Sequence, residues 1–302
     1  MINKNKTNKI KTGFSDAAFD TILVVLIGIF LLLVLYPLIY IVSSSFSSGE
    51  AVTTGRVLLW PVEFSLRGYE IVFSYSTVWT GYLNTIFYTV FGTIINVVIT
   101  VLAAYPMSRK NFQGRKVLNY FYMVPMFFGG GLIPSYILIS NLHLINTRAV
   151  LLIMGALNLT YMVIMRTFFQ SSIPNELLES AKMDGISDIG YLMKIVLPLS
   201  KAVVSVITLY SIVGHWNSFF MPMIYLRDRE LYPLQLILRE ILNASSIDKS
   251  SIQDPELLSQ LVGQADVMKY SLVVVAVVPM LVIYPFVQKF FEKGVMIGSV
   301  KG

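Results

Sequence analysis

Apolar residues in this chain fall in long uncharged runs, not in the alternation of a half-buried strand. Positions 21–42 are uncharged throughout, long enough at about 1.5 Å per helical residue to cross a hydrocarbon core. A cleaved signal peptide is the competing reading, because Ser43–Ser45 follow. Its apolar core spans only about 7–15 residues, so a retained first span is expected. Further spans are predicted at about 82–107, ending at Pro106, and at 117–140, 149–165, 199–226 and 270–288. The third is interrupted by Pro125, Gly129–Gly131 and Pro134. Such breaks persist at membrane depth only where protein or a watery cavity satisfies the freed backbone. The expected connections are polar: a basic tail over 1–20, a link at 43–81, a basic loop at 108–116 and a long loop at 227–269.

One charged stretch between the fourth and fifth spans differs from the other connections. Residues 174–198 read PNELLESAKMDGISDIGYLMKIVLP. Pro174 suits a first helical turn, where its missing N–H costs nothing. Glu176 and Glu179 sit toward the positive end of that helix. Leu177, Leu178 and Ala181 share a face, expected to meet a partner rather than the body. Gly185 can take φ > 0 and close the helix. Ser187 is the expected N-cap of a second short helix carrying Ile189, Leu192, Ile195 and Val196, stopped before Pro198. The result is a helix–turn–helix bracket at the membrane surface, with an apolar edge suited to a groove on another protein.

Composition supports a membrane protein. The chain has 302 residues, of which 55% are hydrophobic and 13% charged, against about 25% charged in soluble domains. With no cysteine and with His143 and His215 far apart, no metal site or cofactor is expected. The net charge of +6 borders apolar runs and reads as topology, not as a nucleic-acid patch. Of the 23 Lys and Arg residues, 15 lie on the side holding the termini and the bracket. The positive-inside rule therefore makes that side cytoplasmic. The span interiors lack Asp, Glu, Lys and Arg, which argues against an ion-coupled carrier. No phosphate-binding G-x-x-x-x-G-K-[ST], nucleophile elbow or H-E-x-x-H occurs. A transporter built this way takes its energy from another subunit.

The spacing Glu179-Ser180-Ala181, Gly185 and Ile195-Val196-Leu197-Pro198 resembles the E-A-A-x-x-x-G-x(9)-I-x-L-P signature of ABC importer permeases, with Ser180 replacing an Ala. In that family the bracket is the coupling helix, seated in a cleft of a cytoplasmic ATPase. The ending Gly298-Ser299-Val300-Lys301-Gly302 is similar to the Gly-x-Val-Lys-Gly terminus of the carbohydrate-uptake, MalG-like branch. The segments GVMIGSVKG, GGGLIPSY, GHWNSFF and LYPLQLILREIL resemble a Gram-positive subgroup of it, some of whose members serve uronate-containing oligosaccharides.

The resemblance implies an all-α membrane protein with six transmembrane helices, the type I ABC importer permease fold, and a cytoplasmic coupling helix. Residues 1–78 would hold the tail, first span and external loop, 79–290 the permease core, and 291–302 a cytoplasmic tail. The implied partners are a second homologous permease, two cytoplasmic ATPases, an extracellular or periplasmic solute-binding protein, an oligosaccharide substrate and membrane lipid, in a bacterial plasma membrane. Leu177, Leu178, Glu179, Ala181, Gly185, Ile195 and Pro198 would couple to the ATPase, with Glu179 facing an ATPase Arg. Gly298, Val300, Lys301 and Gly302 would reach between the ATPases. In this family the loop before the last span can probe the binding protein.

His215, Trp216 and Asn217 are candidates for the substrate path, because sugars need aromatic faces and polar partners. The structural alternative is that they hold helices together. Asn84, Asn96 and Asn158 read as interhelical hydrogen-bond partners. The alternatives to a sugar permease are an energy-independent channel, a scaffold whose bracket anchors a cytosolic protein, or an ABC permease for a non-sugar solute.

Overall fold

The computed structural model describes residues 14–244 and 255–298, with side chains over 18–243 and 261–285. The lysines of the expected N-terminal tail, residues 245–254 of the long loop, and Val300, Lys301 and Gly302 lie outside the described residues. Every regular element among the described residues is helical. Three helices are long and apolar enough to cross a membrane, and three bent pairs bring the total to six. The six-span expectation is met, although half of the spans are broken.

The chain divides into two units, one comprising 1–70 with 247–274 and the other 71–246 with 275–302. In the first, α1 (Phe14–Ser45) carries the first span. Its last turn is tied by serines: Ser43 Oγ donates to the Leu59 carbonyl at 2.7 Å and Ser47 Oγ to the Ser43 carbonyl at 2.7 Å. Ser48 caps α2 (Gly49–Thr53), accepting from the Ala51 N–H. Gly49 meets Gly263 backbone to backbone; a Cβ on Gly49 would lie 2.7 Å from the Gly263 carbonyl carbon.

Glu63 sits at φ +53° and accepts from Ser48 Oγ at 2.5 Å and from Arg56 at 2.7 Å. The Ser48 hydroxyl first, and then the Arg56 guanidinium, hold its carboxyl below the ordinary carboxylate range. A depressed carboxylate pKa contributes stability above its unfolded value and loses it as pH falls through the folded one. Exchange protection of the 48–63 backbone should therefore be flat from neutral pH to about pH 5 and fall only in stronger acid. A fall between pH 8 and 6 would contradict the Glu63 assignment.

The second unit is organised around α4 (Ser76–Ser108). Its buried positions include Gly81, Asn84, Thr85, Tyr88, Thr89, Gly92, Thr93, Asn96, Thr100 and Ala104, a helical stripe of small and polar residues. The opposite face is apolar and exposed, with Leu83 at 70% and Leu102 at 58%. This is the water-soluble pattern turned inside out: the leucines point outward, while small residues let helices approach closely. Pro106 lies inside the helix, which ends at Ser108 and not at the proline as expected. In the last turn a proline removes only one bond.

Around α4 pack α7 (Arg148–Met154), α8 (Leu159–Ser172), α12 (Lys201–Trp216) and α14 (Leu234–Ala244). The third span is α5 (Arg115–Phe127) and α6 (Leu132–Asn141), bent by 118° at the glycine triplet, where Gly131 takes φ +83°. The fourth span, α7 with α8, bends by 43°.

Two expectations need correcting. The 227–269 segment is not a plain loop, because it holds α14 and the start of α15 (Pro255–Gly298). Leu234, Leu236, Ile237 and Leu238 of α14 are buried. The Leu234 N–H donates to Thr85 Oγ1 at 2.8 Å, and Asn84 Nδ2 donates to the Glu230 and Tyr232 carbonyls. The last span runs Leu261–Pro285 and thus starts earlier than expected. Asp266 and Lys269 pair at 3.2 Å one turn apart, so their charges do not interrupt the helix.

Candidate functional site

The bracket forms as its sequence dictates. Pro174 is the N-cap residue of α9 (Asn175–Met183), one position earlier than expected. At its end the Gly185 N–H donates to Lys182 O and the Ile186 N–H to Ala181 O, with Gly185 at φ +72°. This is a Schellman closure, and Ile186 packs into the same cluster as Ala181. Ser187 then caps α10 (Asp188–Tyr191), accepting from the Gly190 N–H at 3.1 Å.

The second arm passes through Pro198 instead of stopping before it. A π turn over Leu192–Val196 leads into α11 (Leu197–Leu199). The wider register absorbs the bond that the proline cannot make. At Ser200 the chain turns by 82° into α12.

The inner face of the bracket is fused to the membrane helices. Ala181, Tyr191, Leu192 and Val196 join Ala104 and Met107 of α4, Met165 and Phe169 of α8, and Val203 and Ile207 of α12 in one buried cluster. Leu178 and Ile195 pack against it. The expectation that Leu177, Leu178 and Ala181 all face a partner is therefore corrected: Ala181 is 3% exposed and faces the body. Leu177, about one turn before Ala181 in this nine-residue helix, stays exposed. The free apolar edge consists of Leu177, Met183 at 89%, Ile189 at 75% and Met193. Glu179 is exposed and no salt bridge joins it to Lys182. Gly298 is the last described residue of α15.

A cavity of about 250 Å³ lies within the second unit, lined by α4, α7, α8 and α12. His215, at the end of α12, lines it together with Asn96, Asn158, Tyr161, Tyr210 and Ser211. Trp216 does not line it; the ring is buried and its indole N–H donates to the Ala276 carbonyl at 3.2 Å. Asn217 folds back on its own helix, donating to the Val213 carbonyl at 3.0 Å. The sequence triplet therefore divides three ways, as successive helical residues must.

Tyr161 and Tyr210 stack with centroids 6.0 Å apart, and sequence reasoning missed both. They come from α8 and α12, so no local spacing links them. Asn96 behaves as expected, donating to the Gly155 carbonyl at 2.9 Å across helices. Asn158 instead caps its own helix, accepting from the Thr160 and Tyr161 N–H groups.

The His215 imidazole is wedged between two glycines. A Cβ on Gly92 or on Gly155 would stand 2.6 Å from its ring. Gly155→Ala should lower thermal stability in detergent by about 1–3 kcal/mol, the cost of overpacking. Gly214→Ala should leave it unchanged, because nothing lies within 4 Å of that Cβ. Equal melting of the two variants would refute the wedge.

Among known proteins, the chain is 36% identical over 284 residues to the polygalacturonan/rhamnogalacturonan transport system permease protein YtcP of Bacillus subtilis, covering 94% of this chain and 98% of that one. Protein LplC of Bacillus subtilis is 35% identical over 284 residues, at 94% and 95% coverage. Among solved structures it is similar, with a TM-score of 0.86 and 36% identity, to a chain of a bacterial ABC transporter involved in the import of the acidic polysaccharide alginate, covering 94% of this chain and all of that one. Residues 96–297 match the family described as binding-protein-dependent transport system inner membrane component. With its broken spans, its welded bracket and these likenesses, the chain belongs to the family of binding-protein-dependent transport system inner membrane components, as a permease subunit of the type I ABC importer fold.

Proposed function

We propose that this permease subunit passes acidic, uronate-bearing oligosaccharides across the bacterial plasma membrane and takes its driving force from ATPases seated on the 174–198 bracket. One observation carries the coupling reading. The bracket has an inner face buried in the core of three membrane helices and an outer edge of Leu177, Met183, Ile189 and Met193 left exposed. A lever needs both a rigid root and a free contact surface. ATP is hydrolysed by the separate subunits, so the chain itself is non-catalytic. The remaining parts are a second homologous permease, two cytoplasmic ATPases and an external solute-binding protein, with the bracket and both termini on the cytoplasmic side. The acidic-sugar reading is supported by the relatives' substrates, polygalacturonan and alginate. His215 and the stacked Tyr161 and Tyr210 offer an aromatic, hydrogen-bonding wall to part of such a chain.

The test is disulfide capture. The chain lacks cysteine, so Ile189→Cys provides a single thiol for crosslinking to cysteines placed along the ATPase cleft. Nucleotide-dependent crosslinks are expected, and their absence in an assembled, active transporter would overturn the lever. Uptake of oligogalacturonates, with maltooligosaccharides as the neutral control, tests the sugar class. Deleting 298–302 should lower transport-linked ATP hydrolysis; an unchanged rate would remove the tail from the ATPase interface.

A further inference from the structure

Arg109 belongs to the short basic loop that topology alone would explain, yet its side chain is not simply solvated. Its guanidinium carbon lies 5.2 Å from the ring centroid of Tyr105 and 5.7 Å from that of Tyr191. Tyr105 sits in the last turns of α4, whereas Tyr191 belongs to the second arm of the bracket and is fully buried. Tyr105 also crosses the same junction by a second route, its hydroxyl donating to the Asp188 carbonyl at 3.1 Å. Asp188 opens α10, directly after the Ser187 cap. No carboxylate forms a salt bridge with Arg109 among the described residues. Its Nε–H donates to the adjacent Ser108 Oγ at 3.0 Å, and the guanidinium otherwise lies over two ring faces, an arrangement open to a planar cation.

We infer that Arg109, Tyr105 and Tyr191 form a latch that fixes the angle between the bracket and α4, making Arg109 a positioning residue for coupling. The inference rests on the lever reading above. The buried cluster roots the bracket in the membrane helices, but the apolar driving force behind it is non-directional and does not by itself select one angle. The cation between two rings and the hydroxyl on a carbonyl are directional, so they set the angle at which ATPase motion reaches α4. Without them the bracket stays attached and docked, and its motion is no longer transmitted in full.

The experiment uses the assembled transporter in nanodiscs, with spin labels on Asp184→Cys in the bracket and Leu83→Cys on α4, both exposed positions. With the latch intact, the 83–184 distance distribution should be narrow and identical in nucleotide-free and vanadate-trapped states. In Arg109→Ala it should broaden, and more so when trapped. Uptake of oligogalacturonate per ATP hydrolysed should fall about tenfold, a typical coupling factor between sites. Arg109→Lys, which keeps the charge but not the planar group, should restore only part of it. Tyr105→Phe, which deletes only the hydroxyl, should fall between, and it carries the test should Arg109→Ala fail to assemble.

Unchanged distributions in both Arg109→Ala and Tyr105→Phe would overturn the latch, as would uptake and hydrolysis falling in equal proportion. Failure of the Ile189 crosslinks would instead remove the lever itself. The two failures are therefore distinguishable.

Discussion

Gly185→Pro should abolish uptake while the protein still inserts and folds its membrane helices. Gly185 occupies φ +72°, whereas proline is fixed near about −65°. The substitution also deletes the N–H that donates to Lys182 O at 3.1 Å and displaces the Ile186 N–H from Ala181 O. Both bonds of the Schellman closure are lost, so α9 and the second arm no longer meet at the angle that buries Ala181, Ile186 and Leu192 together. Gly185→Ala is the graded control, costing about 1–2 kcal/mol for a left-handed residue bearing a Cβ and leaving partial uptake. Transport assays beside membrane fractionation check both. Wild-type uptake by the proline variant would mean that the bracket's geometry does not matter.

Ala181→Glu should be more damaging than any substitution on the outer edge. Ala181 is 3% exposed, in contact with the cluster containing Phe169, Tyr191 and Leu192. An unpaired carboxylate there costs several kcal/mol or forces the helix away from the body. Met183→Glu is the matched comparison: at 89% exposure it places the same charge in solvent. The Ala181 variant should lose assembly and show a lowered melting temperature. The Met183 variant should melt normally yet retain less ATPase on purification. If both melt alike, the inner and outer faces have been misassigned.

Much of this was legible in the sequence, for physical reasons that differ between elements. The bracket was readable because its punctuation is chemical: Pro174, Gly185 and Ser187 each do at a helix end what their backbone and side chains allow. The number of spans was readable from the absence of charge. What escaped was orientation about each axis. In a membrane helix both faces are apolar enough to cross, so hydropathy does not say that Asn84, Gly92 and Asn96 point inward. The same gap set Ala181 among the partner-facing residues and left Trp216 between a substrate-path and a helix-joining reading, of which its buried ring and its bond to the Ala276 carbonyl fit the second. The amphipathic helix α14 was hidden for another reason, because acidic and basic residues flank a short apolar run that resembles a solvated loop. The cavity's aromatic pair, Tyr161 with Tyr210, depends on two helices meeting, and a one-dimensional pattern holds no record of that.

The stripe along α4 also bears on how the protein tolerates change. In a soluble domain the conspicuous leucines are the fragile positions and the threonines are expendable. Here that ranking reverses. Leu83, Val90 and Leu102 are exposed and should exchange freely among greasy residues, whereas enlarging the buried Gly81, Thr85, Gly92 or Thr100 by a single methylene should strain the packing of neighbouring helices. Saturation mutagenesis of this helix should therefore yield a fitness map resembling the photographic negative of a water-soluble one, with the smallest side chains the least replaceable.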